Sequence, residues 1–225
     1  MMTGDITFTA SEGGEGGEEP TPEPEPEPEA VVLPPPVEPI AELEPTPEPE
    51  PAPEPTPEPE PSQPTYNIGD LYDNNGVKGL IFKVNADGES GLIVSLVEAE
   101  TMLAWSTDLV VTNATSRNSG AENCTKIMKI ADWNSKYPAF AWCHSLGEGW
   151  YLPSVNELKE LLLICSGNTF KQAIVTNNAA RFSDGKYLSS TEMDQYWAYY
   201  VDYATDIEKG NYKQYTYKVR AIHTF

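Results

Sequence analysis

The chain has 225 residues, of which 35 are acidic and 14 basic, and a formal net charge of −21. Residues 1–66 hold 17 of the acidic residues, 19 of the 21 prolines and no lysine or arginine, so they carry −17 and the rest of the chain only −4. Such acidity argues against nucleic acid and anionic membranes as partners. Because no apolar run reaches the roughly 18 residues of a membrane span, direct insertion into a membrane is not expected either.

Residues 1–18 contain one strand-like stretch, "DITFTA". A single strand cannot bury a face on its own. We therefore interpret the stretch either as the remnant of an upstream module or as an assembly point, through which the chain would join a partner or form a homotrimer. The start has neither the basic nor the apolar region of a signal peptide. Unless a leader precedes it, we expect a protein that stays in the cytoplasm or leaves the cell as part of a virion.

Residues 19–64 alternate proline with glutamate, as in "EPTPEPEPEPEA". The prolines remove backbone donors and the charges repel one another, so no packed core can form there. This composition predicts a disordered, extended linker of polyproline II type. The interruption "AVVLPPPVEPIAEL" could dock to a partner with an aromatic groove. Its composition favours a slightly more apolar piece of the same linker.

Residues 65–225 are long enough for one domain with its own core. The three cysteines have no CxxC spacing and only two histidines accompany them, so no zinc site is predicted. A disulfide between Cys124 and Cys143 would fit an oxidising compartment, and three buried free thiols fit equally well.

The domain opens with a predicted β-hairpin. Two apolar, β-branched runs, 79–84 and 91–97, flank the turn-forming "NADGES". Trp105 is the expected anchor of the polar connection that follows. Two sets of apolar residues then recur at helical spacing, and Pro138 is expected to begin the second helix. These sets are Ile127, Met128, Ile130 and Ala131, and then Ala139, Phe140, Trp142 and Cys143.

The next segment, "GWYLPSVNEL", predicts a helix start. Ser154 and Glu157 have the spacing of a capping box, and Pro153 keeps the preceding residue extended. The apolar stripe of the helix comprises Val155, Leu158, Leu161, Leu162 and Cys165.

From Gly185 onward the chain reads as strands and holds eight of its 12 tyrosines. Alternation over 197–203 places Trp197, Tyr199, Val201 and Tyr203 on one face. The tripeptide "KGN" is expected to turn the chain, and "YTYKVRAIHTF" to form a last strand.

Five motifs in this order, "GLIFKV…GLIVSL", "YPAFAWC", "GWYLPSVNEL", "YLSSTE" and "YKVRAIHTF", resemble bacterial and phage domains of the C-type-lectin-like fold. The chain resembles the carboxy-terminal domain of collagen-like bacterial adhesins. It is similar, more distantly, to variable domains of phage tropism determinants and of proteins diversified by retroelements. The resemblance covers 68–225.

The resemblance implies an α+β fold, with two helices flanking twisted antiparallel sheets, and a binding role. The surface between "SSTE" and "VRAI" would face the ligand. Its implied ligand-binding residues are Asp194, Gln195, Tyr196, Tyr200, Asp202, Asn211, Tyr212, Gln214 and Tyr215. Their implied buried counterparts are Trp150, Leu152, Leu158, Trp197, Tyr199 and Val201. Tyrosine, asparagine and aspartate on a rigid sheet also make good contact surfaces.

Two departures from relatives limit what the resemblance implies. Calcium-dependent lectins carry Glu-Pro-Asn or Gln-Pro-Asp triplets, which this chain lacks, so no metal is expected. Formylglycine-generating enzymes use late cysteines, and none follows Cys165. Glu157, Glu160, Asp184 and Glu192 could pair as acid and base, but no histidine partner is evident. We expect no enzyme activity and no cofactor.

The sequence thus favours a non-catalytic receptor-binding domain on an acidic stalk. Its expected ligand is a cell-surface protein or glycan, and its expected place is a phage tail fibre or a bacterial cell surface. The alternative is a structural or decoration protein of a virion or cell-surface assembly.

Overall fold

A computed structural model of the protein describes residues 66–225. The predicted N-terminal segment 1–18 and the Pro/Glu-rich linker 19–64 lie outside this range. The described part is α+β, with antiparallel strand pairing throughout its three sheets. The strands are β1 Leu71–Asn74, β2 Val77–Val84, β3 Gly91–Ser95, β4 Leu103–Ala104, β5 Lys186–Glu192, β6 Trp197–Asp202, β7 Ile207–Tyr212, β8 Thr216–Tyr217 and β9 Ile222–Thr224. The helices are α1 Gly120–Met128, α2 Trp133–Lys136, α3 Pro138–Ser145, α4 Val155–Cys165 and α5 Asn168–Thr176.

The first sheet has the order β1-β2-β3-β9. The predicted hairpin is confirmed as β2 and β3, with a register shift between Ile81 and Lys83. The last strand, β9, pairs with β3. At the end of this sheet the ring of Tyr66 meets the ring of Phe225 edge-on, with 5.0 Å between centroids.

The late strands form two smaller sheets, β5-β6-β7 and β4-β8. Two expectations are wrong here. The "KGN" tripeptide lies inside β7, opposite Ala198 to Tyr200, and the chain instead reverses at 203–206, where Asp206 takes a positive φ of 54°. The expected last strand is two strands, β8 and β9, separated by 218–221.

Helix α4 begins as its sequence predicts. The Ser154 hydroxyl accepts from the Glu157 backbone N–H, and the Glu157 carboxylate accepts from the Ser154 N–H at 2.8 Å. The same carboxylate also accepts from the N–H of Gly120 at 2.8 Å, so it caps the first turns of α1 and α4 together. A β-carbon on Gly120 would lie 2.3 Å from the carbonyl oxygen of Leu152, which is why α1 starts with glycine.

Helix α3 begins at Pro138 as predicted. Helix α1 ends at Met128, so Ile130 and Ala131 lie outside it, and Met128 is exposed while Ile127 is buried. The two helices implied by the resemblance are too few, because residues 66–225 contain five. Sequence reasoning missed two helices, the four-residue α2 and α5; both lack a side-chain cap, and α5 follows α4 after only two residues.

The core is a single cluster to which the sheets and helices α1, α3, α4 and α5 contribute. It includes Phe82, Ile93, Leu158 and Leu161, all 0–1% exposed. Trp105 is fully buried, as expected of an anchor, and packs edge-on against Tyr137 and Phe140 at centroid distances of 5.7 and 5.1 Å. The three cysteines are free and buried, so Cys124 and Cys143 do not form a disulfide.

Candidate functional site

Four exposed rings lie at one end of the β5-β6-β7 sheet. Tyr196, Trp197, Tyr212 and Tyr215 are between 37% and 55% exposed. The rings of Trp197 and Tyr212 lie 5.5 Å apart, and those of Tyr212 and Tyr215 lie 5.9 Å apart. We call these four residues the aromatic surface. Three of its rings form a continuous chain across the strands.

The backbone beneath these rings is fixed by short-range hydrogen bonds. One carboxylate oxygen of Asp194 accepts from the N–H groups of Tyr196 at 2.7 Å and Trp197 at 2.8 Å. The backbone N–H of Lys213 donates to the carbonyl of Tyr196 at 2.8 Å, and the backbone N–H of Tyr215 donates to the carbonyl of Tyr212 at 3.0 Å. The turn before β6 and the turn after β7 are therefore joined directly, and they hold the rings in one arrangement.

Gly210 makes room for part of this surface. A β-carbon at this position would lie 2.8 Å from the terminal methyl of Met193 and 3.1 Å from the Trp197 indole. Glycine therefore lets Met193 and the indole lie directly over β7. Met193 is 41% exposed and extends the aromatic surface with an apolar side chain.

An ion pair is buried beneath the rings. The Lys213 ammonium donates to the Glu192 carboxylate at 2.5 Å and to the carbonyl of Val110 at 2.8 Å. It also lies 4.6 Å from the centre of the Trp105 ring. Burial lowers the pKa of Lys213 below its ordinary value, and the hydrogen bond and charge of Glu192 oppose this effect. The Glu192 carboxylate further accepts from the N–H groups of Thr112 and Asn113. These bonds satisfy both buried charges.

The segment 107–113 lies beside the aromatic surface. The Gln214 amide donates to the carbonyl of Thr107 at 3.1 Å, which adds to the contacts that Lys213 and Glu192 make with this segment. Val110 and Val111 are 47% and 58% exposed. They give the site an apolar border.

Most of the predicted ligand-facing residues are accessible. Exposed residues are Asp194, Tyr196, Tyr212, Gln214 and Tyr215, and half-buried ones are Gln195, Asp202 and Asn211. Asp202 ends β6 opposite Ile207, whereas Trp197 at the other end of that strand pairs with Tyr212, so the structure does not bring Asp202 to the aromatic surface. Asn211 donates to the Tyr217 hydroxyl at 2.6 Å, which orients its amide.

Two residues of β6 have the opposite exposure to the one expected. Tyr200 is only 5% exposed, because its ring stacks on Tyr217 at 4.9 Å and the Lys186 ammonium lies over it at 5.0 Å. Trp197 is 37% exposed because it lies at the open end of the strand beside Tyr212. Both faces of β6 carry aromatic residues, so alternation alone could not identify the buried one.

The other expected buried residues are Trp150, Leu152, Leu158, Val201 and Tyr199. The first four are 0–7% exposed. Tyr199 is half-buried, with the Arg117 guanidinium 4.9 Å from its ring centre.

Sequence reasoning missed Lys213 as a support of the site. Lys213 lies between Tyr212 and Gln214, which were both expected to face outward. Strict alternation across these three positions points the lysine inward, where a buried ammonium requires a carboxylate partner. This alternation could have identified Lys213 as a buried residue from the sequence.

The carboxylates considered for catalysis lie in separate places and have other roles. Glu157 caps two helices, Glu160 pairs with Lys83 at 2.8 Å, and Glu192 pairs with Lys213. Asp184 is exposed. Within residues 66–225, no group of three or more histidine, cysteine or acidic side chains could hold a metal ion.

No protein-family model matches the chain, and a search of curated proteins gives no match. In the described part of the chain, no helix has the length and apolar character needed to cross a membrane.

Proposed function

We propose that residues 65–225 form a non-catalytic binding domain with a C-type-lectin-like fold, and that the aromatic surface is its ligand-binding face. The ligand would be a cell-surface protein or glycan. The domain would act at the tip of an adhesin or a phage tail fibre, on a stalk formed by the Pro/Glu-rich segment.

One observation carries this proposal: the continuous chain of exposed rings formed by Trp197, Tyr212 and Tyr215. Tyrosine and tryptophan provide large contact areas and lose little conformational entropy when they bind. Their ring faces pack against apolar patches of a protein or a sugar, and the tyrosine hydroxyls form hydrogen bonds with polar groups at the edge of such a patch. Exposed apolar patches of this kind mark interaction sites in soluble proteins.

The rigid support favours a preformed site. The Asp194 turn and the buried Glu192–Lys213 pair hold the rings before any ligand arrives. A preformed surface avoids the entropic cost of ordering side chains on binding. The polar side chains of Gln195 and Gln214 lie beside the rings in sequence and can supply directional hydrogen bonds.

The proposal is tested with the labelled 225-residue chain on glycan arrays and on intact bacterial cells. Tyr212→Ala and Tyr215→Ala should each weaken binding by about tenfold or more, as central aromatic contacts do in interfaces. The matched control is Leu163→Ala, which removes an apolar side chain that is 64% exposed on α4.

All variants should keep the melting temperature of the parent chain within a few degrees, because the removed groups are exposed. Binding that is equal in the parent and both tyrosine variants would overturn the aromatic surface as the binding face. Association only with other proteins of its own particle would favour the structural alternative.

A further inference from the structure

A cavity lies on another part of the domain and shares no residue with the aromatic surface. It has a volume of about 240 Å³ and is bounded by α5, the end of α4 and the segment 181–182. Its inner wall contains Cys165 and Ile174, which are both buried. The half-buried rings of Phe182 and Tyr203 stand 6.3 Å apart and form an aromatic side wall.

The rest of the lining is the exposed Val175 and two cationic side chains, Lys171 and Arg181. Both are exposed, and neither makes an ion pair or side-chain hydrogen bond with any residue of 66–225. Most other lysine and arginine side chains of residues 66–225 contact a carboxylate, a hydrogen-bond acceptor or an aromatic ring. Lys83 and Lys136, for example, pair with carboxylates. None of the lining residues is acidic.

A third cation lies behind the aromatic wall. The Arg220 guanidinium is 1% exposed and stacks over the Phe182 ring at 4.3 Å. It donates to the carbonyls of Ala180 and Ser95, and its Nε has no partner in the described part of the chain. Its nearest carboxylate, on Glu98, is 4.0 Å away. Because Glu98 partly balances its charge and Arg220 does not line the cavity, Arg220 supports the Phe182 wall, and the positive charge that faces the cavity comes from Lys171 and Arg181.

We propose that this cavity binds a compact organic anion, in which a carboxylate or sulfate group is attached to a ring with an apolar face. The anionic group would bind Lys171 and Arg181, and the ring would pack against Phe182 and Tyr203. An acidic sugar and an aromatic acid share this chemistry. The volume is below the roughly 300–1,000 Å³ of sites for drug-sized molecules, so the cavity fits one ring and its substituents.

The site does not depend on the function proposed for the aromatic surface. If the aromatic surface binds a glycan or a protein, this cavity provides a separate subsite for an acidic group. If it does not, the cavity still has two cations without protein partners beside an apolar wall. Charge-assisted hydrogen bonds from lysine and arginine to such an anion are stronger than those between neutral groups.

The test is NMR titration of the ¹⁵N-labelled 225-residue chain. The anionic probes are N-acetylneuraminate, glucuronate and benzoate, and the neutral probes are methyl glucoside and benzyl alcohol. We expect the anions alone to shift the backbone amides of Lys171, Ile174, Phe182 and Tyr203. A response to the two acidic sugars or to benzoate identifies which source of the anion fits.

Lys171→Gln and Arg181→Gln should each weaken the binding by about tenfold, because each removes one charge-assisted contact. Lys129→Gln is the matched control, since Lys129 is an exposed lysine at the end of α1 that does not line the cavity. Affinity should also fall as salt is added. The absence of shifts at these amides with every anion at about 10 mM would overturn the proposal, as would equal shifts with the neutral probes. Unchanged affinity in both variants would overturn it as well.

Discussion

The carboxylate of Glu192 and the ammonium of Lys213 lie 2.5 Å apart, with side chains that are 1% and 0% exposed. Glu192 is the last residue of β5, and Lys213 follows the last residue of β7. The pair therefore joins the two outer strands of the sheet that has β6 at its centre. It also anchors the segment containing Val110, Thr112 and Asn113 to that sheet.

Lys213→Met should destabilise the domain by about 3–5 kcal/mol, because the buried Glu192 carboxylate would lose its counter-ion. Glu192→Gln should cost a similar amount, since the lysine would then be the unpaired charge. The double variant Glu192→Gln/Lys213→Met should cost less than the sum of the two. Urea denaturation followed by circular dichroism measures all three.

Lys209→Met serves as the control for the ion pair, because Lys209 is exposed in β7 and makes no ion pair in the described part of the chain. Its effect should stay within about 0.5 kcal/mol. A Lys213→Met variant as stable as this control would show that the pair does not support the sheet.

Glu157→Gln should destabilise the domain by about 1–3 kcal/mol. One Glu157 oxygen accepts from the N–H groups of both Gly120 and Ser154 at 2.8 Å, and a neutral amide is a weaker acceptor at two helix starts. Thermal denaturation measures the loss. Glu160→Gln is the comparison on the same helix, since Glu160 makes one half-exposed ion pair with Lys83. Equal losses in the two variants would contradict the double-cap role.

Arg220→Lys should cost about 1–3 kcal/mol although it keeps the charge. The two terminal nitrogens of Arg220 reach different carbonyls, those of Ala180 and Ser95, and a single ammonium cannot reproduce this fork. Chemical denaturation measures the cost. If Arg220→Lys is as stable as the parent chain, this position requires the positive charge and not the two separate hydrogen bonds.

Stability should fall as the pH rises above about 9. Burial raises the pKa of Cys124 from its ordinary 9.0 to about 12, and it raises the pKa values of Cys143 and Cys165 as well. A group whose pKa is higher in the folded state contributes stability that is complete below its unfolded pKa and is lost on going up to its folded pKa. For Cys124 this interval runs from pH 9.0 to about 12.

In that interval the unfolding free energy should fall less steeply with pH in Cys124→Ala than in the parent chain. The difference should be about 1.4 kcal/mol per pH unit, which corresponds to one proton. Urea denaturation at a series of pH values gives the slope. The substitution also removes buried volume, so the slope and not the absolute stability is the quantity to compare. An unchanged slope would mean that the Cys124 thiol is not protected from ionisation by burial.

The elements predicted best are those with local chemical signals. The capping box at Ser154 and Glu157, the start of α3 at Pro138 and the hairpin of β2 and β3 are each set by residues a few positions apart. Local signals were insufficient for α5, which begins at a glycine N-cap without a side-chain bond.

The candidate site was harder to predict because its faces are set by contacts between distant residues. Tyr200 is buried by Tyr217 and Lys186, and Trp197 is exposed beside Tyr212. No alternation pattern within β6 contains that information. The role of Lys213 likewise depends on Glu192, a residue 21 positions earlier in the chain.

The edge-on contact between Tyr66 and Phe225 brings the first and last described residues together at one end of the first sheet. A short glycine-serine bridge could therefore join these two positions, with new ends opened in the exposed turn at 85–90. Such a circular permutant should fold, since the cut interrupts only the loop of the hairpin. For the same reason, the domain is suited to insertion into a surface loop of a carrier protein, where it would display its rings without distorting the host.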